Sequence, residues 1–168
     1  MGYFQADFSL KALKYKLQMK LLIYGHKGWI GQQVVALLIK RNSAGTTCVL
    51  GNARVDDTDG LRSEIDTVKP THVLSLIGRT HGKIDGKSYS TIDYLEQPGK
   101  LTENVRDNLF SPISLALLCK EKGIHLTYLG TGCIFTYPNG SDNPGDGFSE
   151  GDLPNFTGSG YSTVKGYT

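Results

Sequence analysis

Tyr161 and Lys165 stand four residues apart in the run Tyr161-Ser162-Thr163-Val164-Lys165. On a helix this spacing puts a phenol and an ammonium on one face, one turn apart. A cation so placed favours the phenolate and draws the phenol below its ordinary value of about 10, so that Tyr161 can exchange a proton near neutral pH. The YxxxK spacing alone is common. It gains weight from Leu129-Gly130-Thr131, where an apolar run ends on a hydroxyl. Thr131 and Tyr161 sharing one carbonyl oxygen would polarise a ketone towards reduction.

A second set could hold the reductant. Gly25-His26-Lys27-Gly28-Trp29-Ile30-Gly31 follows an apolar run and opens a helical pattern. In a dinucleotide-binding turn, Gly25 permits the tight bend, Gly28 lets the backbone approach a pyrophosphate, and Gly31 allows close packing of the helix. Free backbone N–H groups and the helix dipole then favour phosphate. The acidic residue that usually holds a ribose 2′-hydroxyl is missing after the second apolar run, which reads Gly51-Asn52-Ala53-Arg54. An arginine there suits a 2′-phosphate, which points to NADPH. Arg54 as an ordinary surface residue leaves NADH open. Gly78-Arg79-Thr80 closes the third apolar run, at the edge where open α/β sheets bind ligands.

The elements that must position these residues alternate. Strands are expected over 20–24, 46–50, 72–77 and 126–129, and helices follow the glycine turn, span 58–68 and run from about Lys100 to Lys122 before Gly123. The first helix carries an apolar stripe of Ile30, Val34, Val35, Leu37, Leu38 and Ile39. Strand–helix alternation implies an α/β Rossmann-type, doubly wound parallel sheet with helices on both faces. Residues 136–159, rich in Gly, Pro, Asn and Asp, read as a long irregular loop.

From Lys20 to its last residue the chain resembles the extended short-chain dehydrogenase/reductases that act on nucleotide-linked 4-keto-6-deoxysugars. Ile92-Asp93-Tyr94-Leu95-Glu96 is similar to the family's VDxxE segment, and Arg106-Asp107-Asn108 to the helix segment bearing its active-site asparagine. Pro154-Asn155-Phe156-Thr157-Gly158-Ser159, just before the tyrosine, resembles the bifunctional UDP-4-keto-6-deoxyglucose 3,5-epimerase/4-reductases, as do the dTDP-4-dehydrorhamnose reductases more distantly. Thr131-Gly132-Cys133-Ile134-Phe135 resembles the Ser-x-Cys-Ile-Tyr segment of GDP-fucose synthase, whose cysteine is an epimerisation acid/base.

The resemblance implies a cofactor site of residues 25–31, Arg54, Gly78, Arg79, Thr80, Asn108, Tyr161 and Lys165, with catalytic residues Thr131, Cys133, Tyr161 and Lys165. Carbons 3 and 5 of the sugar flank the C4 ketone, so their protons become removable once Thr131 and Tyr161 stabilise the enolate oxygen. Cys133 is then an exchanging base, although a small packed cysteine at a strand end also accounts for it. The implied sequence is epimerisation, then hydride transfer to carbon 4, with Lys165 orienting the ribose. Two other readings stand beside it: a non-catalytic dinucleotide-binding or regulatory subunit, and a GDP-fucose synthase-like specificity.

Composition narrows the remaining classes. Eighteen basic against 16 acidic residues give a formal charge of +2, with no patch suggesting nucleic acid. Cys48, Cys119 and Cys133 are too far apart for a disulfide framework or zinc site, and His26, His72, His81 and His125 have no ligand spacing, so no metal is expected. No run approaches the roughly 18 apolar residues of a membrane span, and no secretory signal is evident, so a cytoplasmic location is expected. The sequons Asn139-Gly140-Ser141 and Asn155-Phe156-Thr157 are given no role. Residues 1–19 are expected as an N-terminal extension and 20–168 as the Rossmann domain. That domain is expected to be incomplete, because the family continues past Lys165 into a substrate lobe that would hold the partner acid/base for Cys133. A helix broken off one turn after Tyr161 is expected to be marginal. The expected partner is a sugar-nucleotide substrate, with a homodimer left open.

Overall fold

The computed structural model describes residues 19–41, 45–137 and 147–168. Of the expected N-terminal extension only Met19 is described, and it already opens the first strand. The sequon at Asn139 lies outside the described residues.

Strand β1 (Met19–Tyr24) leads through the glycine turn into α1 (Trp29–Arg41), and β2 (Thr46–Leu50) into α2 (Thr58–Val68). Next come β3 (His72–Ser75), a hairpin of β4 (Gly82–Ile84) and β5 (Lys87–Tyr89), and a single 3₁₀ turn at Ile92–Tyr94. A helical run of α3 (Leu101–Val105), a π turn (Arg106–Phe110) and α4 (Ser111–Glu121) follows, then β6 (His125–Tyr128) and α5 (Gly160–Lys165).

The main sheet has the order β2-β1-β3-β6 and is parallel throughout, so the fold is the expected doubly wound Rossmann type. From β1 the chain steps one way to β2 and then back across to β3. Right-handed crossovers therefore put α1 on one face and α2 and α4 on the other. Leu61 and Ile65 of α2 and Leu115, Leu118 and Cys119 of α4 meet Leu22, Tyr24 and Val73 of the sheet in the main core. Burial in that core raises the Cys119 thiol to about 11, which leaves it inert at neutral pH. The reversal between β1 and β3 is a topological switch point, where ligands bind at the carboxyl ends of strands. No helix among the described residues is long and apolar enough to cross a membrane.

Three local features differ from expectation. The stripe on α1 is not packed as one: Ile30, Leu37 and Ile39 are exposed, and Gly31 is the helix's buried residue. Apolar side chains at 34, 35, 37, 38 and 39 spread over more than half the helix circumference, so one sheet face cannot take them all.

The long helix is interrupted by its π turn just before Pro112. Proline supplies no amide hydrogen and crowds the carbonyl four residues back. The backbone widens instead, and Ser111 N–H donates to the Arg106 carbonyl oxygen.

The hairpin is the third difference, and its turn has positive φ at both Asp85 (48°) and Gly86 (80°). That is the backbone an Asp-Gly pair favours.

Candidate functional site

The glycine turn is sterically determined. Gly25 has φ +81°, and a Cβ there would lie 2.6 Å from the Leu76 carbonyl, just past the end of β3. A Cβ on Gly31 would overlap the Gly25 carbonyl oxygen and come within 2.7 Å of His26 Cα, so α1 can approach the turn only with glycine at this position. Gly28 is less confined, at 3.3 Å from the same oxygen. Its N–H donates to the Gly25 carbonyl at 3.1 Å.

The turn opens onto a cavity of about 400 Å³ at the carboxyl ends of β1, β2 and β3. Of the residues expected at the cofactor, Gly25, His26, Lys27, Arg54, Gly78 and Arg79 line it. Gly28, Trp29, Ile30, Gly31, Thr80 and Asn108 do not. Trp29 projects into solvent, and Asn108 is fully buried.

Asn108 sits inside the π turn and clamps the strand end instead. Its Oδ1 accepts from Arg79 N–H at 2.8 Å, and its Nδ2 donates to the Arg79 carbonyl at 2.9 Å and to Asn104 Oδ1 at 2.9 Å. Asn108, expected at the cofactor, here holds the Arg79 backbone, with both Nδ2 hydrogens engaged and Oδ1 accepting one bond.

Arg54 is not a free cation. Its Nε lies 2.9 Å and its Nη2 3.0 Å from the Asp56 carboxylate, which also lies 3.5 Å from Arg106 Nε. Arg79 Nε pairs with Asp107 at 3.0 Å and Glu103 at 3.3 Å. Burial opposes ionisation of Asp107, but hydrogen bonds from Arg106 and Arg79 outweigh it and hold the carboxyl below the usual range. Asp56, Glu103 and Asp107 are residues that sequence reasoning missed. The pairs Arg54/Asp56 and Arg106/Asp107 are local in sequence, whereas Arg79 lies 24 and 28 residues from Glu103 and Asp107 and Arg106 lies 50 residues from Asp56, distances that no local pattern bridges.

The wall of the cavity after β2 is held from α2. Glu64 accepts from Asn52 N–H at 2.7 Å, Ala53 N–H at 3.1 Å and the Tyr24 hydroxyl at 2.8 Å.

The four predicted catalytic residues, Thr131, Cys133, Tyr161 and Lys165, lie outside the residues lining that cavity, and three of them form a second group. Tyr161 is buried against Tyr94 and Leu95, with Ile84, Tyr89 and Ile92 of the hairpin region packed behind them. Thr131 and Cys133 both bear on its phenol. Burial pushes the phenol up, the Thr131 hydroxyl draws it partway back, and the Cys133 sulfur adds to the rise. The structure thus brings Thr131, Cys133 and Tyr161 to one place. Cys133 is exposed there, and its N–H donates to Thr131 Oγ1 at 3.2 Å.

The expectation that Lys165 lowers the Tyr161 phenol does not hold in this structure, where burial raises it. The ammonium is turned away, donating to the Tyr128 hydroxyl with its Nζ 4.5 Å from the centre of that ring. Burial brings Lys165 down to about 8.

The short helix α5 is capped at both levels. Ser159 accepts from Ser162 N–H at 3.0 Å, and the Glu96 carboxylate accepts from Gly160 N–H at 2.8 Å and Tyr161 N–H at 2.9 Å. Glu96 is the last residue of the segment compared above with VDxxE, and its partners lie 64 and 65 residues away. No local pattern could reveal that role.

No family model matches the chain. A curated protein of Acanthamoeba polyphaga mimivirus, L780, is 53% identical over 150 residues, covering 89% of this chain and 50% of that protein. Its crystal structure, described as a UDP-rhamnose synthase, superposes with a TM-score of 0.78. The chain is a homologue of the extended short-chain epimerase/reductases. The Arabidopsis thaliana bifunctional dTDP-4-dehydrorhamnose 3,5-epimerase/reductase is 38% identical over 145 residues, covering 86% of this chain and 44% of that protein. The chain thus spans about half the length of the curated relatives it matches. At 15% identity, a Bacillus anthracis dTDP-4-dehydrorhamnose reductase in complex with NADP shares the fold with a TM-score of 0.69, covering 90% of this chain and 48% of that one.

Proposed function

We propose that this chain is the nucleotide-binding and proton-transfer portion of an NADPH-dependent 3,5-epimerase/4-reductase. Its substrate is a nucleotide-linked 4-keto-6-deoxyhexose, UDP-4-keto-6-deoxyglucose, and its product is UDP-L-rhamnose. The observation that carries the reading is the meeting of Thr131, Cys133 and Tyr161 in one group. A reductase needs only the two hydroxyls, whereas a third, exposed thiol beside them suits proton exchange at the carbons flanking a ketone. The homology to a UDP-rhamnose synthase supports the choice of substrate.

The residues fit a dinucleotide. The glycine turn leaves backbone room where a pyrophosphate lies in this fold, and His26 Nδ1, within the turn, is buried without a partner among the described residues. Gly25 to Gly31 would hold the pyrophosphate, Arg54 the adenosine 2′-phosphate and Lys165 the nicotinamide ribose. When bound, the nicotinamide supplies hydride to carbon 4.

The chain's own groups do the remaining work. Thr131 and Tyr161 hold the C4 oxygen and stabilise its negative charge as carbons 3 and 5 lose protons. Cys133 exchanges such a proton on its own face of the carbon, removing it as thiolate or donating it as thiol, and inversion needs a second acid/base on the opposite face. Tyr161 gives its phenolic proton to the C4 oxygen on reduction.

The test is direct. The purified chain is expected to bind NADPH and, given UDP-4-keto-6-deoxyglucose in deuterium oxide, to incorporate deuterium at carbons 3 and 5 beside Cys133. A chain that binds neither NADPH nor NADH sinks the proposal.

A further inference from the structure

We infer that Tyr128 is the positioning residue for Lys165: its hydroxyl is the acceptor that fixes the buried ammonium, and its ring is the surface on which the ammonium rests. The inference rests on the proposed function for its consequence, since it concerns the lysine assigned there to the nicotinamide ribose. It rests on the structure for its geometry.

Lys165 is 5% exposed, so its ammonium has little water to replace a lost partner. Among the described residues the Tyr128 hydroxyl is the one side-chain hydrogen-bond partner it has. The ring adds a second attraction, with Nζ 4.5 Å from its centroid. Tyr128 is fixed in turn as the last residue of β6, paired in register with Ser75 of β3. A strand end is a rigid place from which to aim a flexible side chain.

The carboxylates on the elements packed against α5 do not compete. Glu103 is engaged by Tyr94 and Lys100, and Asp107 by Arg79 and Arg106. Burial lowers the Lys165 ammonium, and neither carboxylate contributes to its titration. Tyr161, one turn back, faces Thr131 and Cys133 instead. Lys165 and Tyr161 are thus held by different partners, and Tyr128 keeps the ammonium charged and in place without drawing it onto the phenol.

Tyr128→Phe keeps the ring and removes the acceptor. Two measurements on the whole chain test the inference. The first is the titration of the Lys165 side-chain nitrogen by NMR without ligand, assigned with Lys165→Met. Its midpoint is expected to fall by about one pH unit in Tyr128→Phe, a tenfold loss in ammonium stability. The second is NADPH affinity against pH. Tyr128→Phe is expected to bind several-fold more weakly than the native chain at pH 8 and nearly as well at pH 6, where Lys165 is protonated in both.

An unchanged Lys165 midpoint, or a loss of affinity that is the same at both pH values, overturns the inference. A native chain that binds no nicotinamide dinucleotide would instead refute the proposed function, and the Lys165 titration would still decide whether Tyr128 holds the lysine.

Discussion

Replacing Glu96 by Ala should loosen the helix that carries Tyr161 and Lys165 while leaving the sheet intact. The carboxylate accepts two backbone hydrogen bonds at the first turn of α5, at 2.8 and 2.9 Å. Charge-assisted bonds of this kind contribute roughly 1.5–3 kcal/mol when buried. Glu96 is exposed, so water competes for the same donors and the lower end applies. Ser159 continues to cap Ser162 in the variant, which limits the loss further. A total of about 1.5–2 kcal/mol follows, comparable with deletion of a strong helix cap. Because α5 has six residues and little helical stability of its own, this loss should appear as local opening rather than global unfolding. At about 1.4 kcal/mol per tenfold, amide exchange of Thr163 to Lys165 should accelerate roughly 10- to 30-fold. Exchange in β1 and β3 should change little. Hydrogen–deuterium exchange with mass spectrometry on the peptide covering 157–168 reads the effect. Glu96→Gln, which retains one acceptor oxygen, should fall between the two. Acceleration below threefold in Glu96→Ala, or equal acceleration in α5 and β1, would refute the view that Glu96 anchors the helix.

Gly31→Ala should cost about 1–3 kcal/mol through overlap with the Gly25 carbonyl and lower the melting temperature by several degrees, whereas Gly28→Ala, with more room, should melt nearly as the native chain does. Equal melting of the two variants would contradict the packing described. Cys133→Ser should slow deuterium incorporation at carbons 3 and 5 of the sugar by about 10²-fold or more, and unchanged incorporation would remove the thiol from the mechanism. Arg54→Ala should weaken NADPH binding about tenfold and leave NADH binding unaltered; equal losses for the two would show that Arg54 does not read the 2′-phosphate. Lys165 has its folded-state titration depressed to about 8 against about 10.4 when unfolded, so between those values the unfolded chain binds more protons and stability should rise with pH. That rise should be absent in Lys165→Met, and an identical pH dependence in the two proteins would show that the lysine is not desolvated as described.

The sheet was legible because apolar runs ending in glycine mark buried parallel strands, and β1, β2, β3 and β6 all fall within two residues of expectation. The glycine turn was legible for a related reason: backbone crowding at Gly25 and Gly31 admits no other residue, so the need is written in the residue type. Tyr161, Thr131 and Cys133 come together because each lies next to an element end that the alternation of strands and helices already locates. Electrostatics was not legible. The sequence suggested a cation pulling the Tyr161 phenol down, yet burial pushes it up and Lys165 faces Tyr128. Four-residue spacing on a helix limits how far apart two side chains lie, but not which way a long lysine turns. Nor could the spacing show that Arg54 is shared with Asp56, because a charge pair depends on side-chain placement that composition does not carry.

The segments that carry the candidate site have little regular structure, and the structure holds each by the same device. Glu64 takes the backbone N–H groups of Asn52 and Ala53, Asn108 takes both backbone groups of Arg79, and Glu96 takes the N–H groups of Gly160 and Tyr161. Asn155 does the same for Thr136, donating to its carbonyl at 3.0 Å and accepting from its N–H at 2.8 Å. A side chain that satisfies a loop's backbone fixes the loop without using the loop's own side chains. The segments bearing Arg54, Arg79, Cys133 and Tyr161 are thereby held from behind, by residues 11 to 65 positions distant in sequence. Substituting any one clamp should therefore perturb a single segment, whereas substituting Gly31 acts on the junction of turn and helix and perturbs the fold as a whole. The contrast is a physical one: backbone clamps at exposed loops yield locally, but a steric overlap inside a packed turn has nowhere to relax.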